Sequence, residues 1–322
     1  MTPNMRVHLA GLELPSPILT AAGCAGTGRE LAAFMDISRI GAVVTKSLMS
    51  GPRAGTPVPR IAETPSGVLS PVGLQGPGLE VFLNRDLPWL RSHGARTVVS
   101  ISGGSPGEYA ELTRRLEAET GVSAIEINLA SANQTDHGRH FVSDQQAAAE
   151  VVRAVRAETD LAVLVKLSSG MDTGSGGSTV LARAVVDAGA DALALINTVR
   201  GMVIDTEFMR PAVAGGAAGL SGPAIRPIAL ATVYEVCQAV PDVSVVGIGG
   251  ICSGQDALQF LLAGATAVGV GTASLQDPGA CARIQRELTE LLEERGWASV
   301  AEVVGRVHDG AGQHSHTPGA RR

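Results

Sequence analysis

Apolar residues in this chain gather in short, nearly continuous runs, and most runs are followed by a segment of helical periodicity. Eight runs read as strands: Ile18 to Ala21, Ala42 to Thr45, Thr97 to Ile101, Ala124 to Asn128, Ala162 to Leu167, Ala192 to Asn197, Val243 to Ile248 and Ala267 to Val270. Continuous apolar character marks strands covered on both faces, as in parallel sheets. Eight successive βα units predict an α/β fold closed into a (β/α)8 TIM barrel. Ahead of them, Val7-His8-Leu9 and Leu12-Glu13-Leu14 alternate around Ala10-Gly11 and predict an N-terminal β-hairpin. Ser105-Pro106-Gly107-Glu108 offers a capping box with proline at the first helical position, and Ser143 with Gln146 repeats the cap pattern. Two connections are long, Ser47 to Arg96 after the second strand and Thr198 to Pro223 after the sixth. In a barrel such βα insertions lie over the active-site mouth. Residues 1–309 are expected to form one domain, and the polar, glycine-rich stretch 310–322 a disordered tail.

Composition narrows the function. With 322 residues and 45% hydrophobic content the chain can bury one large core. Aromatics make up 3%, too few for nucleic-acid stacking platforms, and a net charge of -6 without a basic stripe argues against a polyanionic partner. The four cysteines, Cys24, Cys237, Cys252 and Cys281, lack disulfide or metal-type spacing and read as buried small hydrophobes, so no metal site is expected. No run of eighteen apolar residues occurs and the start carries no basic-then-apolar pattern, so the cytoplasm is the expected location.

Only two of the 25 basic residues are lysine, and Lys46 and Lys166 each close an apolar run. Arginine serves wherever any cation suffices, so lysine at a strand's C-terminal end points to a compact ammonium used in chemistry. The seventh strand ends in Gly247-Ile248-Gly249-Gly250 and the eighth in Gly269-Val270-Gly271-Thr272, where barrels bind phosphate on bare backbone N–H groups. Ser221-Gly222 in the preceding loop adds a third donor site. Gly174-Ser175-Gly176-Gly177 has no such context and reads as a flexible loop.

At this point the residues match a family. The segments Gly41 to Lys46, Pro59-Arg60-Ile61-Ala62-Glu63-Thr64, Val72-Gly73-Leu74-Gln75-Gly76-Pro77-Gly78, Ile125-Glu126-Ile127-Asn128, Val165-Lys166-Leu167-Ser168, Ile196-Asn197-Thr198 and Gly219-Leu220-Ser221-Gly222-Pro223-Ala224-Ile225 resemble dihydroorotate dehydrogenases. The Leu-Gln-x-Pro-Gly turn is most similar to the NAD-linked class 1B branch, whose catalytic subunits pair with an iron-sulfur and FAD electron-transfer subunit. The resemblance implies FMN over the barrel mouth, with its phosphate on Ser221, Gly222, Gly249, Gly250, Gly271 and Thr272. Ala21, Ala22, Gly23, Ser47, Asn128 and Ile196 would line the ring, with Lys46 and Lys166 beside it. An ammonium about 4 Å from the electron-rich edge of a reduced flavin is worth roughly 4 kcal/mol at an effective dielectric near 20. A pyrimidine or other cyclic amide would meet Lys46, Ser70, Val72, Gly73, Leu74, Asn128, Asn133, Asn197 and Thr198, since a carboxamide offers a donor and an acceptor on one rigid group. The resemblance also implies a homodimer.

The pattern breaks on the substrate side. Where the family's catalytic loop reads Asn-x-Ser-Cys-Pro-Asn, this chain has Asn128-Leu129-Ala130-Ser131-Ala132-Asn133, which puts Ser131 in the place of the catalytic base. A hydroxyl is a far poorer base than the thiolate of a thiol with a pKa of about 8.5, so a relay such as His137 or a bound water is called for. Ser70 and Ile101 stand where the family has asparagine, and Lys166-Leu167-Ser168-Ser169-Gly170 replaces the usual Leu-Ser-Pro. The leading expectation is oxidation of dihydroorotate to orotate. The alternatives are an FMN-dependent enzyme for another cyclic imide, lactam or enone, and a flavin-binding barrel without turnover.

Overall fold

The structure is a computed structural model that describes residues 2–130, 135–136, 139–141, 143–169 and 177–309. Its centre is one sheet of eight parallel strands: β1 (Ile18–Thr20), β2 (Val43–Val44), β3 (Thr97–Ile101), β4 (Val122–Asn128), β5 (Ala162–Leu167), β6 (Ala192–Leu195), β7 (Ser244–Ile248) and β8 (Ala267–Val270). Each expected apolar run contains one of them, except that β4 begins two residues before its expected start, at Val122. Neighbours in the sheet follow chain order, with β8 returning to β1 through Val268 opposite Ile18. The seam between β1 and β2 closes through a bridge from Leu19 to Ala42, and the Thr20 hydroxyl spans it, accepting from Val44 N at 2.8 Å and donating to Val44 O at 3.2 Å. Gly41 permits this closure, because a Cβ there would lie 2.4 Å from the Ser16 carbonyl oxygen. The expected barrel is therefore present, and the hairpin Val7–Leu9 with Leu12–Leu14 stands ahead of it.

Helices cover the outside wherever an apolar stripe and a cap coincide. Ser105 caps Pro106–Glu117 by accepting from Glu108 N at 3.3 Å, while the Glu108 carboxylate reaches back to Gly104 N at 2.8 Å. The next cap differs from expectation. Asp144, not Ser143, opens Gln145–Arg156 by accepting from Ala147 N at 2.9 Å, since its extended backbone and carboxylate suit the positive end of the helix. After β1 the chain makes only a 3-10 turn, Leu31–Ala33, and the Ala280–Glu294 helix packs against that strand.

The long connections are not plain loops. Ala62–Thr64 and Gly67–Ser70 from the first join Ala218–Ser221 and Val199–Gly201 from the second in one four-stranded sheet, in the spatial order 199–201, 218–221, 67–70, 62–64. Leu69, Val213 and Ala218 form a small apolar core of their own behind it. Gly67 allows the two insertions to meet, because a Cβ there would fall 2.1 Å from Ser221 O. Residues 310–322 and 174–176 lie outside the described residues, while Gly177 starts the helix Gly177–Asp187.

Candidate active site

Lys166 enters from β5 at the C-terminal end of the barrel, opposite Asn128 of β4 and Ala194 of β6. It is 5% exposed and lines a cavity at the mouth. Burial pushes its ammonium below the usual lysine range, opposed by the charges of Glu126 and Cys24. Lys46 leaves β2 with its backbone N–H on Gly26 O at 3.0 Å and is half-buried. Burial lowers its pKa too, with Cys24 opposing and Arg60 adding to the shift. Cys24 thus sits electrostatically between the two lysines, although burial dominates and raises its thiol pKa. Of the four cysteines, all free, only Cys281 is fully buried; Cys24 and Cys252 line the cavity, so the expectation that all four are core residues is corrected.

The opposite wall is backbone. Gly222, Gly249 and Gly250 take φ of 93°, 139° and 70°, conformations that favour glycine and leave the backbone there without a side chain. The turns after β6 and β7 touch directly, and a Cβ on Gly250 would lie 2.7 Å from Gly222 O and 2.8 Å from the Arg226 Cβ. Asp256 stiffens this cradle by accepting from Cys252 N at 3.0 Å and from the Arg226 guanidinium. Arg283 donates to Cys252 O at 3.1 Å and holds Asp277 and Glu287, and Glu287 accepts from Gly254 N at 2.7 Å. Ala21, Ala22, Ile196, Ser221, Gly271 and Thr272 complete the wall, together with Ile225, Ile248, Ile251 and Ala273. Side-chain-free backbone, an apolar slot and the Lys166 ammonium, with the charge of Lys46 felt at Cys24, suit a molecule with an anionic tail and a planar, electron-accepting head.

Of the remaining expected residues, only Asn197 and Thr198 are among those that line the cavity; Lys46, Ser47, Asn128, Gly23, Ser70 and Val72 to Leu74 are not. Asn128 donates from Nδ2 to Ser47 Oγ at 3.0 Å and accepts at Oδ1 from Ala130 N at 3.2 Å, while Ser47 and Ser100 share a 2.9 Å hydroxyl bond. Asn197 donates to Ala130 O at 2.9 Å, and with Thr198 it does line the cavity. Both carboxamides therefore fasten the start of the loop after β4. Ser70 ends its strand opposite Gly219, and Val72, Gly73 and Leu74 follow, with positive φ at Gly73 and Leu74. Gly23 also turns through positive φ, at 92°. Ser131, Ala132, Asn133 and His137 lie outside the described residues.

Comparison with known proteins decides what this barrel is. The family model described as dihydroorotate dehydrogenase matches residues 4–292. The dihydroorotate dehydrogenase B (NAD(+)) catalytic subunit of Geobacter sp. (strain M21) is 45% identical over 305 residues, covering 95% of this chain and 98% of that protein. The subunit of the same name from Pelobacter propionicus is 46% identical over 307 residues, covering 95% and 99%. The chain belongs to the dihydroorotate dehydrogenase family. Members of this flavin-dependent family are oxidoreductases acting on CH–CH bonds, and the expected likeness to the NAD-linked branch is borne out. A crystal structure of an Eimeria tenella dihydroorotate dehydrogenase with ferulenol shares the fold at TM-score 0.78 and 21% identity, covering 95% of this chain and 89% of that one.

Several groups of this dihydroorotate dehydrogenase relative escape a reading of its sequence alone. Tyr109, fully buried, donates its hydroxyl to Asn128 O at 2.8 Å and so fixes the residue that opens the loop after β4. Burial raises the phenol pKa to about 12, which keeps the donor protonated. Arg60 binds Thr56 O at 2.6 Å, Gln75 Oε1 at 2.7 Å and Ala54 O at 2.9 Å, clasping the turn that carries Val72 to Leu74. Glu126 is 2% exposed inside the barrel, and its Oε1 has no hydrogen-bond partner. For Tyr109 no sequence signal was available beyond a polar residue among apolar ones; for Glu126 and Arg60 the matching motifs marked the residues without their tasks.

Proposed function

We propose that this protein is the catalytic subunit of an FMN-dependent dihydroorotate dehydrogenase, oxidising (S)-dihydroorotate to orotate. The observation that carries the reading is the pairing of a buried Lys166 with glycine cradles at the end of the barrel where phosphate sites form. FMN, when bound, supplies the acceptor for the hydride that leaves C6 of the substrate ring. The amides of Gly222, Gly249, Gly250 and Gly271, with Ser221 and Thr272, bind its phosphate. Ala21, Ala22, Gly23 and Ile196 flank its ring and exclude water, with Ser47 close by. Lys166 and Lys46 stabilise negative charge that develops during transfer. Asn128 and Asn197 hold the catalytic loop in register, and Asn133, Thr198, Ser70 and the Val72–Leu74 turn orient the pyrimidine. Ser131 takes the C5 proton, so that one hydride and one proton leave together as the double bond forms. General acid–base assistance typically contributes 10²- to 10⁴-fold, so a serine base slows the reaction without abolishing it.

One observation favours a second substrate. Ser70 faces Gly219 across the sheet, and neither can supply the carboxamide expected there. An enzyme for another cyclic imide, lactam or enone, retaining FMN, fits that gap; a flavin-binding barrel without turnover has no such observation behind it. Anaerobic titration of the FMN-loaded protein separates the readings. Dihydroorotate is expected to bleach the flavin absorbance near roughly 450 nm. Bleaching only by other cyclic amides or enones would reject dihydroorotate as substrate, and no bleaching by any of them would reject the enzyme.

The relatives are named catalytic subunits, which supports a partner. In our reading that partner is an iron-sulfur and FAD electron-transfer subunit, the barrel forms a homodimer, and the enzyme works in the cytoplasm. Among the described residues no helix is long and apolar enough to cross a membrane.

A further inference from the structure

Among the described residues, Glu126 is the one buried carboxylate inside the barrel that nothing above employs. Ile125 and Ile127 on either side of it are fully buried, and strand alternation puts Glu126 on the same inward face as Asn128. The register sets Asn128 beside Lys166 and Glu126 beside Leu164, so Glu126 lies one inward position deeper than the lysine on the adjoining strand. Strand spacing and rise put the two Cα atoms about 8 Å apart, within reach of two long side chains. The flanking positions are Ser100 on β3 and Leu164 on β5 for Glu126, and Ala194 on β6 for Lys166. Ser100 is engaged with Ser47, and leucine and alanine carry no charge. The charged or titratable groups acting on Lys166 are Glu126 and the Cys24 thiol. A carboxylate left without a hydrogen bond in such a core is costly unless an opposite charge compensates it.

We propose that Glu126 is the counter-charge of Lys166, a positioning residue that holds its ammonium in the barrel mouth and thereby sets how strongly that ammonium favours reduced flavin. The inference rests on the reading that Lys166 adjoins the cofactor. Its physical content is a balance. Glu126 keeps Lys166 charged to higher pH, and it offsets part of the positive potential that Lys166 presents to the ring. Removing the carboxylate charge therefore has two opposite signatures. While Lys166 stays protonated, reduced flavin is favoured more; as pH rises, Lys166 loses its proton sooner and the advantage disappears.

The test compares FMN-loaded wild type with Glu126→Gln and Glu126→Asp by dye-equilibrated reductive titration, from neutral to alkaline pH. Glu126→Gln should shift the reduced-to-oxidised equilibrium at neutral pH about tenfold towards reduced, about 30 mV for a two-electron couple. Its alkaline fall-off should move to lower pH. Glu126→Asp, which keeps the charge but withdraws it by one methylene, should stay near wild type at neutral pH and move the alkaline fall-off down in pH by less than Glu126→Gln does. A Glu126→Gln curve that superimposes on wild type overturns the proposal, whatever the change in Tm or FMN affinity. If Glu126→Gln does not fold, Glu126→Asp decides: withdrawing the carboxylate by one methylene must move the alkaline limb down in pH, and an unmoved limb overturns the proposal. A wild-type protein that takes up no FMN overturns the cofactor reading as well, whereas an unmoved potential in a flavin-loaded variant overturns only the role of Glu126.

Discussion

Lys166 holds its ammonium at the barrel mouth with only 5% of the residue exposed. Because burial lowers its pKa below the unfolded value near 10.5, the unfolded chain binds more protons between those two pKa values. The stability of the flavin-free protein should accordingly rise with pH through that interval. Lys166→Met is expected to flatten the alkaline rise in thermal midpoint and to weaken FMN binding tenfold or more, about 1.4 kcal/mol. Tm against pH and a flavin titration check the two effects separately. Tyr109→Phe deletes the donor to Asn128 O and leaves that carbonyl short of a partner. A loss of about 1–3 kcal/mol in urea unfolding is expected, with kcat falling more than KM rises. At this scale the sequence displayed what it could: two lysines among 25 cations stand out. Tyr109 and Glu126 do not, because their roles arise from contacts between separate strands and helices.

In the proposed reading the turns after the strands hold FMN, and their glycines are the weak points. Gly250 takes φ of 70° with its missing Cβ hemmed in by Gly222 O and Arg226. Gly250→Ala should cost about 1–3 kcal/mol in backbone strain and empty the protein of FMN. Far-ultraviolet circular dichroism together with bound-flavin content after gel filtration checks this, since the barrel itself should remain. Strands and the glycine turns were legible because buried parallel strands print as uninterrupted apolar runs and the cups recur at matching places. The cap at Asp144 was displaced by one residue because Ser143 and Asp144 both have capping side chains and only the backbone conformation chooses between them. The four-stranded sheet was not legible. Its strands are three or four residues long, and the pair that joins the two insertions, 67–70 with 218–221, lies about 150 residues apart in the chain.

Across the whole molecule, that sheet couples the connection after β2 to the connection after β6. Leu69 and Leu220 stand directly opposite one another within it. Each leucine-to-alanine change should destabilise the sheet, and the pair should show a coupling of about 0.5–3 kcal/mol. A double-mutant cycle in urea measures it, and strict additivity would mean that the two insertions stand independently. The closed barrel was legible from eight repeated units, whereas the closing contact at Thr20 and the fusion of the two insertions exist only in three dimensions.

The glycine at position 67 carries a consequence for how such enzymes diversify. With Gly67 pressed against the Ser221 carbonyl, neither insertion has room to be exchanged alone. A chimaera receiving only the segment after β2 from a relative would present that graft to a mismatched neighbour, whereas transplanting both segments together preserves their shared edge. New substrate preferences in this scaffold should therefore be inherited as paired grafts.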